Sequence, residues 1–204
     1  MAFLSANIAR VGIFFSSVKV TQRLLLWLGA IILTFSLVGC DAFGPTQYSV
    51  RRVSDGDTLA ITDSKGANFN VRFACIDAPE IPHSYTEQHS RKAVDKDQFK
   101  WGRQAKQRVQ QLVEQGGDRV TLKITDSDRY GRKISEVRLR DGTFIQEVLT
   151  REGLALVYRS YLKNCPSAAL VEAAEAEAKK QGRGVWSDSR FVEPWDYRRS
   201  NFNR

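Results

Sequence analysis

The chain has 204 residues, of which 31 are Lys or Arg and 23 are Asp or Glu, so its net charge is +8. This length suits one globular domain with extensions and excludes two domains of ordinary size. The basic excess favours an anionic partner such as nucleic acid or lipid headgroups, but charge alone selects no chemistry.

The first 39 residues predict an export signal. They contain no acidic residue and end in the apolar run "LLLWLGAIILTFSLVG" behind three cations. A basic flank before a short apolar segment is the layout of a secretion signal. The sequence "LVGC" that ends at Cys40 resembles the bacterial lipobox, so we expect a lipoprotein signal peptide over residues 1–39 and a lipid anchor on Cys40. An uncleaved membrane helix and cleavage with release are the open alternatives.

Export places the protein in the bacterial cell envelope outside the cytoplasm, and Asp41 after the lipobox resembles an inner-membrane retention signal. In an oxidising compartment the two remaining cysteines, Cys75 and Cys165, allow one intramolecular disulfide. The alternative is a small buried thiol at Cys75 and an unrelated loop thiol at Cys165, because spacing does not reveal geometry.

After a tether over residues 40–47, the first half of the predicted domain is a strand meander followed by a helix. The segment "YSVRRVSDGDTLAITDSKGANFNVRFACI" alternates apolar and polar residues between the turn signals "DGD" and "DSKG". This pattern predicts three antiparallel strands. Residues 102–114, "GRQAKQRVQQLVE", carry apolar residues at helical spacing, and "GG" ends the helix.

The second half adds two strands and two helices. Strands are predicted at residues 119–125 and 133–139, on either side of the polar loop "DSDRYGR". A short helix ends at Gly153, and an Ala/Glu-rich helix ends near Gly182. The fold class is therefore α+β, a five-stranded barrel with three packed helices over residues 48–188. Residues 189–204 are predicted to be a basic tail without a chemical role.

Three acidic residues follow predicted strands or turns. Asp57 lies in "DGDT", and Asp77 and Glu80 follow the third strand. Carboxylates that converge from two loops suit a hard cation with oxygen ligands. Taken singly each has a simpler explanation, since Asp55 and Asp57 fit a tight turn and the other two fit an Asx turn and a solvated charge.

Two arginines favour the chemical interpretation. Arg72 lies among apolar strand residues and needs an anion, either a carboxylate in a structural salt bridge or a phosphate. Arg132 lies in the loop "DRYGR". Two arginines, a cation and Glu80 acting on a water molecule together form a set suited to phosphodiester hydrolysis.

The motifs "DGDT", "VRFACIDAPE" and "DRYGR", followed by "GLA" and "GVW", resemble the staphylococcal nuclease (thermonuclease) family in order and spacing. The resemblance covers residues 48–187. It implies a five-stranded OB-fold barrel with three α-helices, and Ca²⁺-dependent cleavage of DNA and RNA that leaves 3′-phosphate and 5′-hydroxyl ends. Mg²⁺ and Mn²⁺ also take oxygen ligands and stay open as cofactors.

The resemblance also implies roles for particular residues. The metal ligands correspond to Asp57, Asp77 and the backbone carbonyl of Ala78, the phosphate-binding arginines to Arg72 and Arg132, the general base to Glu80, and the nucleotide contacts to Tyr130 and Tyr161. We expect a monomer that acts on nucleic acid and is attached to the membrane through Cys40.

The segment after Glu80, "IPHSYTEQHSRKAVDKDQFKW", departs from the thermonuclease pattern. Its histidines, His83 and His89, are more simply solvated loop residues than ligands. The competing functions are a non-catalytic OB-fold module that binds single-stranded nucleic acid and a structural lipoprotein domain. Clustered carboxylates favour the enzyme, because tracking a phosphate backbone requires cations only.

Overall fold

The structure is a computed structural model that describes residues 45–202. The predicted signal peptide over residues 1–39 and the predicted lipidation site at Cys40 lie outside the described residues. Within residues 45–202, no helix combines the length and apolarity needed to cross a membrane.

Five strands close into a barrel. They are β1 (Gln47–Val53), β2 (Thr58–Thr62), β3 (Asn68–Phe73), β5 (Arg119–Ser127) and β6 (Lys133–Arg138). Their order around the barrel is β1, β2, β3, β6, β5, and β5 pairs back with β1. β3 and β6 run parallel, and the other neighbours are antiparallel. The predicted five-stranded barrel is confirmed.

A second, two-stranded sheet lies beside the barrel. β4 (Ile76–Asp77) pairs antiparallel with β7 (Leu156–Val157), and Asp77 is opposite Leu156. Sequence analysis did not predict this sheet, because two residues are too short to display an alternating pattern. It fixes the backbone of Asp77 in a ladder.

The described helices are α1 (Tyr85–Gln88), α2 (Ala93–Gln115), α3 (Ile145–Arg151), α4 (Ala168–Lys180) and α5 (Pro194–Phe202). The three predicted helices correspond to α2, α3 and α4. α2 begins at Ala93 and not at residue 102, because its first turns bury the polar residues Asp95 and Gln98 and so hide the apolar period. α5 occupies the segment that was predicted to be a tail.

The core joins the barrel to α2 and α3. Apolar side chains fill it from both sides, including Leu59, Ile61, Val71, Val120 and Val137 from the barrel and Ala105, Val109, Ile145 and Leu149 from the helices. α2 packs so closely on the segment after β4 that a Cβ atom at Gly102 would lie 2.0 Å from the carbonyl oxygen of Glu80. Only glycine permits this approach, which holds Glu80 against the helix.

Cys75 and Cys165 form a disulfide, with their Cα atoms 5.3 Å apart. The structure therefore has the bridge rather than two separate thiols. Cys75 adopts a left-handed backbone conformation, with φ of 76°. Its carbonyl oxygen accepts a hydrogen bond from the N–H of Tyr158 at 2.9 Å. The bridge links the turn before β4 to the segment before α4.

Candidate functional site

Arg72 joins two buried carboxylates at one end of the barrel. Its Nη1 donates to Asp57 Oδ1 at 2.8 Å, and its Nη2 donates to Asp77 Oδ1. Register explains the contact, because Arg72 in β3 is opposite Thr58 in β2, directly after Asp57. Asp57 and Asp77 are 2% and 0% exposed. The three predicted residues therefore lie together.

The backbone around the cluster fixes Asp57. Its Oδ2 accepts a hydrogen bond from the N–H of Ala78 at 2.9 Å, and its Oδ1 accepts one from the Thr58 hydroxyl at 3.2 Å. Asp55 Oδ1 accepts the N–H of Asp57 at 3.0 Å, so Asp55 has the turn role expected from the sequence. Ala78, a predicted ligand through its carbonyl, thus lies directly against Asp57.

Glu80 lies at the rim of the same cluster, with 24% of its side chain exposed. Its N–H donates to the side-chain oxygen of buried Gln98 in α2 at 3.2 Å. Gln98 also donates through Nε2 to the carbonyl of Val192. Gln98 therefore ties Glu80 to the segment before α5, a positioning role that sequence reasoning missed because Gln98 has no local motif.

Arg198 in α5 joins the carboxylate cluster, a contact that sequence analysis did not predict. Its Nη1 donates to Glu80 Oε1 at 2.5 Å and to Asp77 Oδ1 at 3.3 Å, and its Nη2 donates to Asp77 Oδ2. Residues 194–202 of the predicted basic tail therefore form a helix that contacts the carboxylate cluster. Arg198 and Glu80 are 118 positions apart, and an arginine pair in a basic tail carries no signal of such a contact.

α5 is docked firmly enough to place Arg198. The Tyr197 hydroxyl donates to Asp95 Oδ1 at 3.0 Å, and the ring of Tyr197 packs edge-on against Phe99 at 6.4 Å. Burial, and then Asp95, raise the pKa of Tyr197 to about 12, so the hydroxyl remains a donor. A cavity of about 210 Å³ opens beside α5 between Glu80, Phe99 and Arg198.

The cluster has more carboxylates than cations. Among residues 45–202, Asp57, Asp77 and Glu80 form ion pairs with two guanidinium groups, those of Arg72 and Arg198. Burial raises the pKa of Asp77 to about 6, although both arginines lower it. Burial lowers the pKa of Arg72, but Asp57 and Asp77 outweigh burial and raise it above its ordinary value. The excess of carboxylates over guanidinium groups, and their oxygen atoms as ligands, fit a hard divalent cation.

A complete preformed ligand cage is absent from the described residues around Asp57 and Asp77. In residues 45–202, the one group of three candidate ligands with atoms within 4.8 Å is Cys75, Glu136 and Cys165. Its two sulfurs form the disulfide, so they are not thiolate ligands. A cation at Asp57 and Asp77 would need water or phosphate oxygens to complete its shell, which Ca²⁺ accepts.

Arg132 is held within its own loop. Its Nε donates to Asp128 Oδ2 at 2.6 Å, and Asp128 Oδ1 accepts the N–H groups of Tyr130 and Arg132, both at 2.9 Å. Over residues 45–202 no hydrogen bond joins Arg132 to Asp57, Asp77 or Glu80. The structure thus brings Arg198, rather than Arg132, to the carboxylates. Tyr130 is 69% exposed.

Three aromatic rings stand in a row beside the site. Tyr161 and Tyr158 lie 5.3 Å apart between ring centroids, and Tyr158 stacks on Trp195 at 5.4 Å. Tyr161, predicted to contact a nucleotide, is 60% exposed at the outer end. We call these three rings the aromatic row. Trp195 had no predicted role.

The loop after Glu80 forms the short helix α1. Ser84 and Glu87 cap it reciprocally, as in a capping box. His83 and His89 are both exposed, and His89 Nδ1 lies 2.8 Å from the carbonyl oxygen of Tyr85. This matches the expected solvated loop and places neither histidine among the carboxylates.

Comparison with known proteins agrees with this geometry. A family model described as "Staphylococcal nuclease homologue" matches residues 70–188. An "Uncharacterized endonuclease" of Escherichia coli O157:H7 is 34% identical over 149 residues, which are 73% of this chain and 82% of the relative. A "Micrococcal nuclease" of Shigella flexneri is 32% identical over 175 residues, which are 82% of this chain and 88% of the relative. The chain therefore belongs to the staphylococcal nuclease family.

Proposed function

We propose that this protein is a metal-dependent nuclease that hydrolyses phosphodiester bonds of DNA and RNA at the Asp57, Asp77 and Glu80 cluster. The observation that carries the proposal is the position of Arg72 between two buried carboxylates, with Glu80 at the same rim. Membership of the family and the nuclease names of the relatives support it.

Asp57 and Asp77 are the residues that would hold the cation, with the carbonyl of Ala78 as a further ligand. When bound, a divalent cation neutralises charge on the phosphate and favours deprotonation of water. Ca²⁺ is the first choice because it tolerates irregular oxygen shells, and Mg²⁺ and Mn²⁺ are the alternatives to test.

The chain's own groups supply base and charge stabilisation. Glu80 is partly exposed, so it can accept a proton from a water molecule that attacks phosphorus. Arg72 is fixed by its carboxylates and stabilises charge that develops on the phosphate oxygens. Arg132 is held through Nε by Asp128, and its terminal nitrogens are the groups that would bind a phosphate. Following the family resemblance, the P–O5′ bond breaks, and the 5′ oxygen leaves with a proton, giving 3′-phosphate and 5′-hydroxyl ends.

The alternative is a module that binds single strands without cutting them. The aromatic row favours it, since rings in a line stack on successive bases in such modules. The excess of carboxylates over arginines favours the enzyme, because carboxylates repel the phosphate backbone unless a cation accompanies them.

We also propose that the nuclease acts outside the cytoplasm, anchored by a lipid on Cys40. The lipobox-like "LVGC" supports this location. Cys40→Ser should move the protein from the membrane fraction to the soluble fraction after expression in a bacterial host. An unchanged membrane fraction would favour an uncleaved membrane helix.

The activity is tested with the purified full-length chain in detergent, incubated with plasmid, single-stranded DNA or RNA. Cleavage should require a divalent cation and stop on chelation. Glu80→Gln should lower the rate by about 10²–10⁴-fold. Arg132→Ala should lower it as well, while Glu175→Gln, a buried carboxylate elsewhere, serves as the matched control. Equal rates in all four proteins, or no cleavage with Ca²⁺, Mg²⁺ or Mn²⁺, would reject the proposal.

A further inference from the structure

One face of α5 presents an aromatic ring and a cation to the carboxylate cluster. Trp195 and Arg198 are three positions apart in a helix, so their Cβ atoms are about 5–6 Å apart on one face. Trp195 stacks on Tyr158 with 25° between the ring planes, and Arg198 contacts Asp77 and Glu80. A ring and a guanidinium at this spacing match the base and phosphate of one strand.

The aromatic row leads from solvent to this face. Its outer ring, Tyr161, is largely exposed, and its inner ring, Trp195, is half-buried. The backbone of Tyr158 is fixed to Cys75, two residues before Asp77, by the 2.9 Å hydrogen bond from its N–H. The row therefore ends beside the carboxylates rather than at a remote surface.

Arg198 is the more accessible of the two arginines in the cluster. Its side chain is 34% exposed, against 21% for Arg72. Both terminal nitrogens of Arg72 donate to Asp57 and Asp77, and both terminal nitrogens of Arg198 donate to Asp77 and Glu80, so exposure is what distinguishes the two arginines. Because Arg198 is the more exposed of the two, an incoming phosphate meets it first and exchanges with its carboxylate partners, since a guanidinium fork donates to phosphate oxygens as readily as to carboxylate oxygens.

The docking of α5 makes this face preorganised. The buried contacts of Tyr197 with Asp95 and Phe99 hold the helix without involving Trp195 or Arg198. Binding then requires no ordering of the helix, which would weaken affinity.

We propose that α5 forms one wall of the nucleic-acid cleft, where Trp195 stacks on an unpaired base and Arg198 binds a backbone phosphate. The inference rests on the proposed function and narrows its substrate. A ring that stacks on a base face requires an unstacked base, so this subsite takes single-stranded DNA or RNA, or a frayed end, rather than an intact duplex.

The test measures how tightly the full-length chain binds hexathymidylate in the presence of Ca²⁺. The oligonucleotide has phosphorothioate linkages, which keep their charge and resist cleavage. Trp195→Ala should raise the dissociation constant about tenfold, with an unchanged salt dependence. Arg198→Gln should weaken binding and reduce the slope of log affinity against log salt by about 0.7, the loss of one phosphate contact. Trp186→Phe is the matched control, since Trp186 packs under Lys179 at 4.3 Å.

An abasic hexamer provides a measurement on the unaltered chain, independent of how the variants fold. It should bind about tenfold more weakly than hexathymidylate, and oligonucleotide should quench tryptophan fluorescence in Trp186→Phe but less in Trp195→Phe. Equal affinity for the two hexamers, or unchanged affinity and salt slope in Trp195→Ala and Arg198→Gln, would overturn the proposal. If no protein cleaved nucleic acid but the binding differences were still observed, the proposed nuclease activity would be rejected and the proposed subsite would stand.

Discussion

A carboxylate cluster lies at β4 of the small β4–β7 sheet and a single buried carboxylate lies at β7, and the two sites differ in charge balance. At β4, Asp57, Asp77 and Glu80 face two arginines. At β7, Glu175 alone faces two cations.

The carboxylate oxygens of Glu175 accept hydrogen bonds from Val157 N–H at 2.9 Å, Arg159 at 2.6 Å and Lys179 at 3.0 Å. A carboxylate with this set of partners is satisfied and serves the fold. Burial of an acid is therefore a weak indicator of function, whereas the excess of carboxylates over arginines at β4 supports the proposed cation site.

The largest expected effect on stability comes from the disulfide that links the two regions. Cys75 precedes β4, Cys165 precedes α4, and the bridge closes a loop across 90 positions. Replacing both cysteines with alanine should lower the free energy of unfolding by about 3–4 kcal/mol, since the unfolded chain regains loop entropy.

Urea denaturation with and without reductant measures the loss. Reductant should destabilise the parent to the same degree and leave the double variant unchanged. A parent that resists reductant while the variant matches its stability would contradict a structural bridge.

Arg72→Ala should lower the free energy of unfolding by about 3 kcal/mol, because it leaves Asp57 and Asp77 buried without their shared partner. Ca²⁺ should restore part of this loss by binding the same oxygens. Glu175→Gln should cost about 1–2 kcal/mol through weakened charged hydrogen bonds, with no recovery on adding Ca²⁺. Equal recovery of stability on adding Ca²⁺ to both variants would contradict the distinction between the two sites.

The free energy of unfolding should depend on pH with opposite sign at the two sites. Burial raises the pKa of Glu175, but Arg159, Val157 and Lys179 lower it below its ordinary value of 4.5 overall. The folded state then holds fewer protons than the unfolded state. The stabilisation is present above pH 4.5 and is lost as pH falls through the folded pKa.

Asp77 behaves in the reverse way when chelator is present. Its pKa is raised by burial from 3.8 to about 6, so the folded state holds more protons in this window. The free energy of unfolding should fall as pH rises from 3.8 to about 6. Glu175→Gln should lose the dependence of the unfolding free energy on pH below 4.5, and Asp77→Asn should lose the dependence between pH 3.8 and about 6. A shared slope in both variants would contradict the assignment.

The barrel was predictable because its strands alternate over five or more residues and turn signals separate them. Asp57, Arg72, Asp77 and Glu80 were predictable as a set, because they lie at or near the ends of predicted strands that meet at one end of the barrel. The two-residue strands β4 and β7 were too short to be detected. Strand register and the depth of a side chain in the core follow from packing rather than from local sequence pattern. The full burial of Asp77 was therefore not predictable.

Arg198 and Gln98 were not predictable, for a different reason. Each acts through contacts between segments that are 94 to 121 positions apart, and neither has a neighbour in sequence that reveals its partner. The helical form of "PWDYRRSNF" also escaped prediction, since its low apolar content shows no clear face. Its docking depends on contacts with distant segments, such as those of Tyr197 with Asp95 and Phe99.

Calorimetric titration of Ca²⁺ into the purified full-length chain tests most directly whether the acid excess at β4 binds a cation. The parent should bind a single Ca²⁺, Asp77→Asn should bind it at least about tenfold more weakly, and Glu175→Gln should bind it as the parent does. No binding of Ca²⁺, Mg²⁺ or Mn²⁺ by the parent, or the same affinity in Asp77→Asn, would contradict a cation site at Asp57 and Asp77.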